Sequence, residues 1–137
     1  MRNLLRITTG VTAAGVAAVL TATSASAASS PTYTKSTTGA KASCSFISWG
    51  TLVHDDHLQI NCTLSDTKAD GDSVYVEWWG DGYAHRLLYN RGGNGSAKKV
   101  SEARENPDGS YQYAHFRVCR DINWWPDNCS ASKKWTI

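Results

Sequence analysis

Four groups of residues in this chain carry side chains with chemical potential. Trp78-Trp79 and Trp124-Trp125 are adjacent indole pairs. His54-Asp55-Asp56-His57 sets two imidazoles and two carboxylates side by side, and Asp66-Thr67-Lys68-Ala69-Asp70-Gly71-Asp72 is an acidic, glycine-containing run. Cys44, Cys62, Cys119 and Cys129 complete the set.

The tryptophans are the most informative. An indole is rigid, amphipathic and easily desolvated, which suits it to binding hot spots and to stacking on sugar rings. Trp124 and Trp125 fall between Cys119 and Cys129 in the segment CRDINWWPDNC. A disulfide between those cysteines would tie the loop at both ends and lower its entropy cost on binding. Pro126 would stiffen it further. One of the two indoles is expected to plug the end of the core and the other to face water.

Trp78 and Trp79 close the segment Ser73 to Trp79 (SVYVEWW), which is rich in strand formers. Successive side chains of a strand point to opposite faces. Val74, Val76 and Trp78 are therefore expected inward, and Tyr75, Glu77 and Trp79 outward. Trp79 with Tyr83 and Tyr75 would form an aromatic platform. Trp124, Trp125, Trp79 and Tyr83 are the candidate ligand contacts.

The other groups point less clearly to chemistry. Calcium needs several oxygen ligands on a flexible loop, but Asp66 to Asp72 lacks the alternating ligand spacing and terminal Glu of an EF-hand, and Lys68 intrudes. It reads as a solvated turn. Residues 54 to 57 read as a polar turn, since four neighbours cannot converge on one ion unaided. No metal and no cofactor are implied. Catalysis has little footing: GxSxG, HExxH, a phosphate-cradling glycine loop and a paired-glutamate signature are all missing. A small hydrolase using His54, His57 or His115 with a nearby Asp remains a third reading, because triads are defined by geometry and not by order.

The elements that must hold these residues are short strands. Leu58, Ile60, Cys62 and Leu64 alternate with polar neighbours, as do Ala114, Phe116 and Val118 with Tyr113, His115 and Arg117. Tyr111 is expected on the polar-facing side of that second strand. Residues 84 to 91 should pair with 73 to 79 as a hairpin. Lys98 to Arg104 suits a strand or a short helical turn, Asn106-Pro107-Asp108-Gly109 a β-turn, and Lys133 to Ile137 an edge strand. No segment keeps a helical period. Six to seven strands with turns at short intervals predict a small antiparallel β-sandwich over residues 44–137, with a small barrel as the alternative. Residues 28–43, rich in Ser, Thr and Ala, read as a flexible lead-in.

Residues 1–27 have the form of a cleaved signal peptide: Arg2 and Arg6 form a basic start, Val11 to Leu20 is apolar, and Ala25-Ser26-Ala27 is a small-x-small cleavage pattern. The apolar stretch is about half of what a helix needs to cross a bilayer. The chain is expected outside the cell, as a monomer. There are 14 Lys and Arg against 12 Asp and Glu. Arg2 and Arg6 lie in the signal segment, so the remainder is charge-balanced. A balanced surface argues against nucleic acid and against an electrostatic membrane partner.

Four cysteines in an exported chain of this size form two disulfides. The pairing Cys44–Cys62 with Cys119–Cys129 is preferred because each closes a short local loop. Zinc is the rival, but no CxxC is present.

The segments Leu64 to Val76 (LSDTKADGDSVYV), Arg117 to Asp121 (RVCRD) and Asp127 to Ser130 (DNCS) resemble small secreted proteins of filamentous actinobacteria. The resemblance spans about residues 44 to 137 and implies a two-disulfide β-sandwich. Its motifs are turns and disulfides, and it transfers no catalytic residue. The leading expectation is a non-catalytic binding domain for a polysaccharide or cell-wall glycan. A protein-directed inhibitor or toxin-like effector using the Cys119–Cys129 loop stands second.

Overall fold

In a computed structural model, residues 26–51 and 54–137 are described. The expected signal segment lies almost wholly outside them. The described residues form strands and turns without a helix. The alternating segments give two five-stranded antiparallel sheets that face each other as a sandwich.

The first sheet contains β1 (Ser26–Ser29), β2 (Tyr33–Thr37), β3 (Ala40–Thr51), β4 (His54–Asp66) and β7 (Ala97–Glu105). β3 pairs with β4, and β4 with β7. β1 and β2 both pair along the free side of β3 and together make one edge lane. Pro31 separates them, where a missing N–H suits an edge. Ser30 bridges the gap: its N donates to Phe46 O at 2.9 Å, and its Oγ accepts from Phe46 N at 2.8 Å.

The second sheet contains β5 (Ser73–Gly80), β6 (Arg86–Asn90), β8 (Tyr113–Asp121), β9 (Asn128–Cys129) and β10 (Lys133–Thr136). Its order is β10-β8-β5-β6, with β9 also on β8. Here too the edge lane is split. Ser130 joins its halves, donating from N to Val118 O at 2.9 Å and accepting from Val118 N on Oγ at 3.2 Å. Ten segments thus occupy eight lanes, because one edge lane of each sheet is broken; the six to seven strands expected omitted the edge lane formed by β1 and β2.

The core follows the period of two. Ala42, Cys44, Phe46, Leu58, Ile60 and Leu64 of the first sheet meet Val74, Val76, Trp78, Ala114, Phe116 and Val118 of the second, all fully buried. Phe46 packs edge-on to Phe116 at 6.0 Å and parallel to Trp135 at 5.8 Å. Trp78 Nε1 donates to Glu102 Oε2 at 2.8 Å, and Arg86 grips Glu102 through Nε and Nη2. That contact ties β5 and β6 to β7 across the sandwich. Tyr111 closes one end over Gly80, where any Cβ would lie 2.7 Å from its ring.

Three expectations need correction. Residues 28–43 are not a flexible lead-in: they supply β1, β2 and the start of β3, because their alternation lets Ala40 and Ala42 reach the core while Ser and Thr face out. Residues 54–57 are not a turn but the start of β4, whose His57 pairs with Trp49. Tyr111 is buried and precedes β8, whose polar face begins at Tyr113.

Both disulfides join residues directly opposed across strands, Cys44–Cys62 between β3 and β4, and Cys119–Cys129 between β8 and β9. Zinc is displaced as a reading, since the described residues hold no free cysteine. Two crosslinks in one domain fit an oxidising compartment.

Candidate functional site

The outer face of the second sheet carries most of the unusual side chains. β8 presents Tyr113, His115, Arg117 and Cys119 on this face. β5 presents Tyr75, Glu77 and Trp79, and β6 presents Leu87 and Tyr89, as the register requires. Cys119–Cys129 therefore lies on the outside of the sandwich, whereas Cys44–Cys62 lies inside.

That outer disulfide closes the ring holding Trp124 and Trp125. Trp124 is 100% exposed and Trp125 75%. The expectation that one would plug the core is overturned. The cause is local: Trp125 N donates to Ile122 O at 3.3 Å, closing a turn in which Trp124 has φ of 69°. This is the turn position that normally selects Gly or Asn. A bulky residue held there with a positive φ is an outlier of the kind that gathers at binding sites. The turn lifts both indoles away from the sheet.

Asp127 braces the ring from behind. Its Oδ1 accepts from Ile122 N at 3.2 Å and its Oδ2 from Tyr75 OH at 2.6 Å. Burial and this carboxylate push the Tyr75 phenol well above the ordinary range, so it stays a donor. Tyr75 is itself covered, with Tyr89 at 5.2 Å.

The expected platform of Trp79, Tyr83 and Tyr75 is not assembled. Trp79 faces out, but its ring lies between His85 at 4.3 Å and His115 at 5.1 Å, the three nearly parallel. Burial lowers the His115 pKa, with Lys134 adding to the effect. Tyr83 belongs to another part of the fold. It packs against the core, beside Tyr111 at 5.6 Å and bonded to Asn106. The turn at Gly80 to Gly82 separates Tyr83 from the strict alternation that places Trp79.

Sequence reasoning missed the group beside Trp79. Glu77 is buried on the outer face, with Oε1 taking His85 Nδ1 at 2.5 Å and Oε2 taking Arg117 Nε. Burial alone would raise its pKa; the bonds from His85 and Arg117 outweigh that and hold it below the usual carboxylate range. The period of two places both Glu77 and Arg117 outward. What was not visible was that β5 and β8 would be neighbours.

The remaining candidates among the described residues are engaged as follows. His57 Nδ1 bonds Asp56 Oδ1 at 2.8 Å, and its ring stacks on Trp49 at 5.2 Å. No hydroxyl of the described residues is bonded to that imidazole. Asp70 and Asp72 turn to Arg120, at 3.2 and 3.3 Å. That guanidinium occupies the place a cation would take. Among the described residues no three His, Cys, Asp or Glu side chains gather as a metal set. The His54 side chain lies outside the described residues.

Comparison with protein-family models, curated proteins and solved structures finds no match to this chain.

Proposed function

We propose that this protein is a secreted, monomeric, non-catalytic binding domain that holds polysaccharide through Trp124 and Trp125. The observation that carries the reading is the pair itself: two adjacent indoles, 100% and 75% exposed, on a turn closed by a disulfide. Water-facing indoles carry a solvation penalty that a folded chain normally removes by burying them. Here the sequence invests a disulfide, Pro126 and the Asp127 brace in holding them out. A ring fixed before binding loses little entropy when the ligand arrives. Indole faces stack on the apolar faces of sugar rings without needing a charged partner, in keeping with the balanced charge of residues 28–137. The signal-like residues 1–27 and the two crosslinks agree with an extracellular site of action.

Truncating a hot-spot tryptophan typically costs ~2 kcal/mol or more, about thirtyfold in affinity. The test is depletion of the purified domain by insoluble polysaccharides, comparing the native chain with Trp124→Ala/Trp125→Ala. Both side chains are exposed, so the variant should keep its melting temperature and lose retention. Equal retention by the two proteins would refute the assignment. Stoichiometric capture of an extracellular hydrolase in place of glycan would transfer the ring to the inhibitor class.

A further inference from the structure

The face that bears the tryptophan ring is lopsided in its hydrogen-bonding chemistry. Next to the ring, the carboxylates of Glu77 and Asp127 have both oxygens engaged, Glu77 by His85 and Arg117, Asp127 by Ile122 N and Tyr75 OH. Arg117 spends only Nε on Glu77, and its side chain is 40% exposed. Its two terminal nitrogens make no hydrogen bond among the described residues. Arg117 lies two residues from Cys119 on the same face of β8, so roughly 7 Å separates it from the base of the ring. Leu87, 46% exposed, pairs with Glu77 across β5 and β6, on the opposite side of Glu77 from Arg117, and adds an apolar residue to the same face. Further cations rim the face: Lys134 over the Tyr113 ring at 4.1 Å and Arg91 over the Tyr89 ring at 4.4 Å. Asp121 is the opposing charge on this face: it lies inside the ring, two residues beyond Cys119, as near to the base of the ring as Arg117 is.

A guanidinium held through Nε that still offers its two terminal nitrogens is complementary to an oxyanion. We infer that Arg117 is a specificity-determining residue and that the glycan held by the ring is an acidic one, bearing carboxylates such as those of uronic acids. The inference rests on the glycan-binding reading. Glu77 holds the guanidinium in place through Nε. The terminal nitrogens take one sugar carboxylate in two parallel N–H···O bonds, while the indoles stack on neighbouring rings. An unpaired arginine would be mobile. One anchored on a buried carboxylate is pre-organised.

The probes are polygalacturonate, the same polymer after reduction of its carboxyl groups, and a poly(glycerol phosphate). The native protein should bind polygalacturonate about tenfold or more tighter than the reduced polymer, with a preference that weakens as salt rises. Arg117→Gln should bring that ratio close to one and leave affinity for the reduced polymer within about twofold. Arg117→Lys, which keeps the charge opposite Glu77, should retain part of the preference and separates lost charge from lost fold. Equal affinity of the native protein for the charged and reduced polymers would overturn this inference and leave the glycan reading intact. So would a preference that survives Arg117→Gln. Tighter retention on poly(glycerol phosphate) than on polygalacturonate would overturn the carboxylate assignment. Retention of none of the three would overturn both readings.

Discussion

The two outer faces of this sandwich are built on the same lattice and have opposite characters. The first sheet presents Ser43, Ser45, Asn61, Thr63 and Ser101 to solvent around a shallow depression. Short polar side chains such as these bond mainly to one another, as Ser101 Oγ does to Asn61 Oδ1 at 2.7 Å. The second sheet presents Trp79, Glu77, Arg117 and Leu87 under a ring carrying two free indoles. The crosslinks divide in the same way, one facing the core and the other lying beneath that ring. Stability alone does not ask for such a difference, because each sheet needs only its inner face to be apolar. A buried ion pair on an outer face is weak evidence of stabilisation. On the proposed function, its place on the face that carries the tryptophan ring belongs to recognition. One face is then a solvated cover and the other, on that same proposal, the working surface.

That contrast can be broken in four ways. The core beneath both faces should be the most sensitive part. Trp78→Ala should cost about 3–5 kcal/mol, as expected for a fully buried tryptophan, and deprives Glu102 of a donor. Calorimetry on the variant measures it, and a melting temperature near native would remove Trp78 from the core account.

Deleting either disulfide as an alanine pair should cost about 3 kcal/mol, since loops of 18 and 10 residues differ little in closure entropy. Function should separate them. Loss of Cys119–Cys129 should weaken glycan retention in a protein that is still folded. Loss of Cys44–Cys62 should leave retention unchanged below the new melting temperature.

Acid should act through the working face first. Burial and Lys134 lower the His115 pKa below its unfolded value of 6.5. Its contribution to stability is therefore complete above that value and declines as pH falls through it. Glu77 and Glu102 are also depressed below the unfolded 4.5, so their contributions are lost at lower pH still. Melting temperature measured from pH 8 to pH 3 should fall in two stages, and His115→Gln should remove the first. A single stage at carboxylate pH in the native protein would contradict this.

The smallest effect belongs to the solvated cover. Ser45→Ala and Thr63→Ala should each change stability by no more than about 0.5 kcal/mol and leave glycan retention unaffected. A loss of binding there would move the working surface to the first sheet.

Much of this arrangement was legible in the residues. The period of two placed Val74, Val76 and Trp78 inward, and the local spacing of the cysteines gave both disulfides. Three things were not legible, each for a physical reason. Strand order depends on long-range packing, so the meeting of Glu77 with Arg117 across β5 and β8 leaves no trace in local pattern. The Ser- and Thr-rich β1 and β2 lack apolar strength of their own and are held as an edge by β3. The projection of both Trp124 and Trp125 depends on one backbone angle and on Asp127, and composition alone favours burying at least one large aromatic.

The most direct test of the working surface follows the six indole N–H signals by NMR during titration with polygalacturonate. Each signal is assigned by single Trp→Phe replacement. The account predicts that Trp124 and Trp125 shift together and saturably while Trp78 and Trp135 stay still. Unmoved Trp124 and Trp125 signals on a glycan the protein demonstrably binds would contradict it.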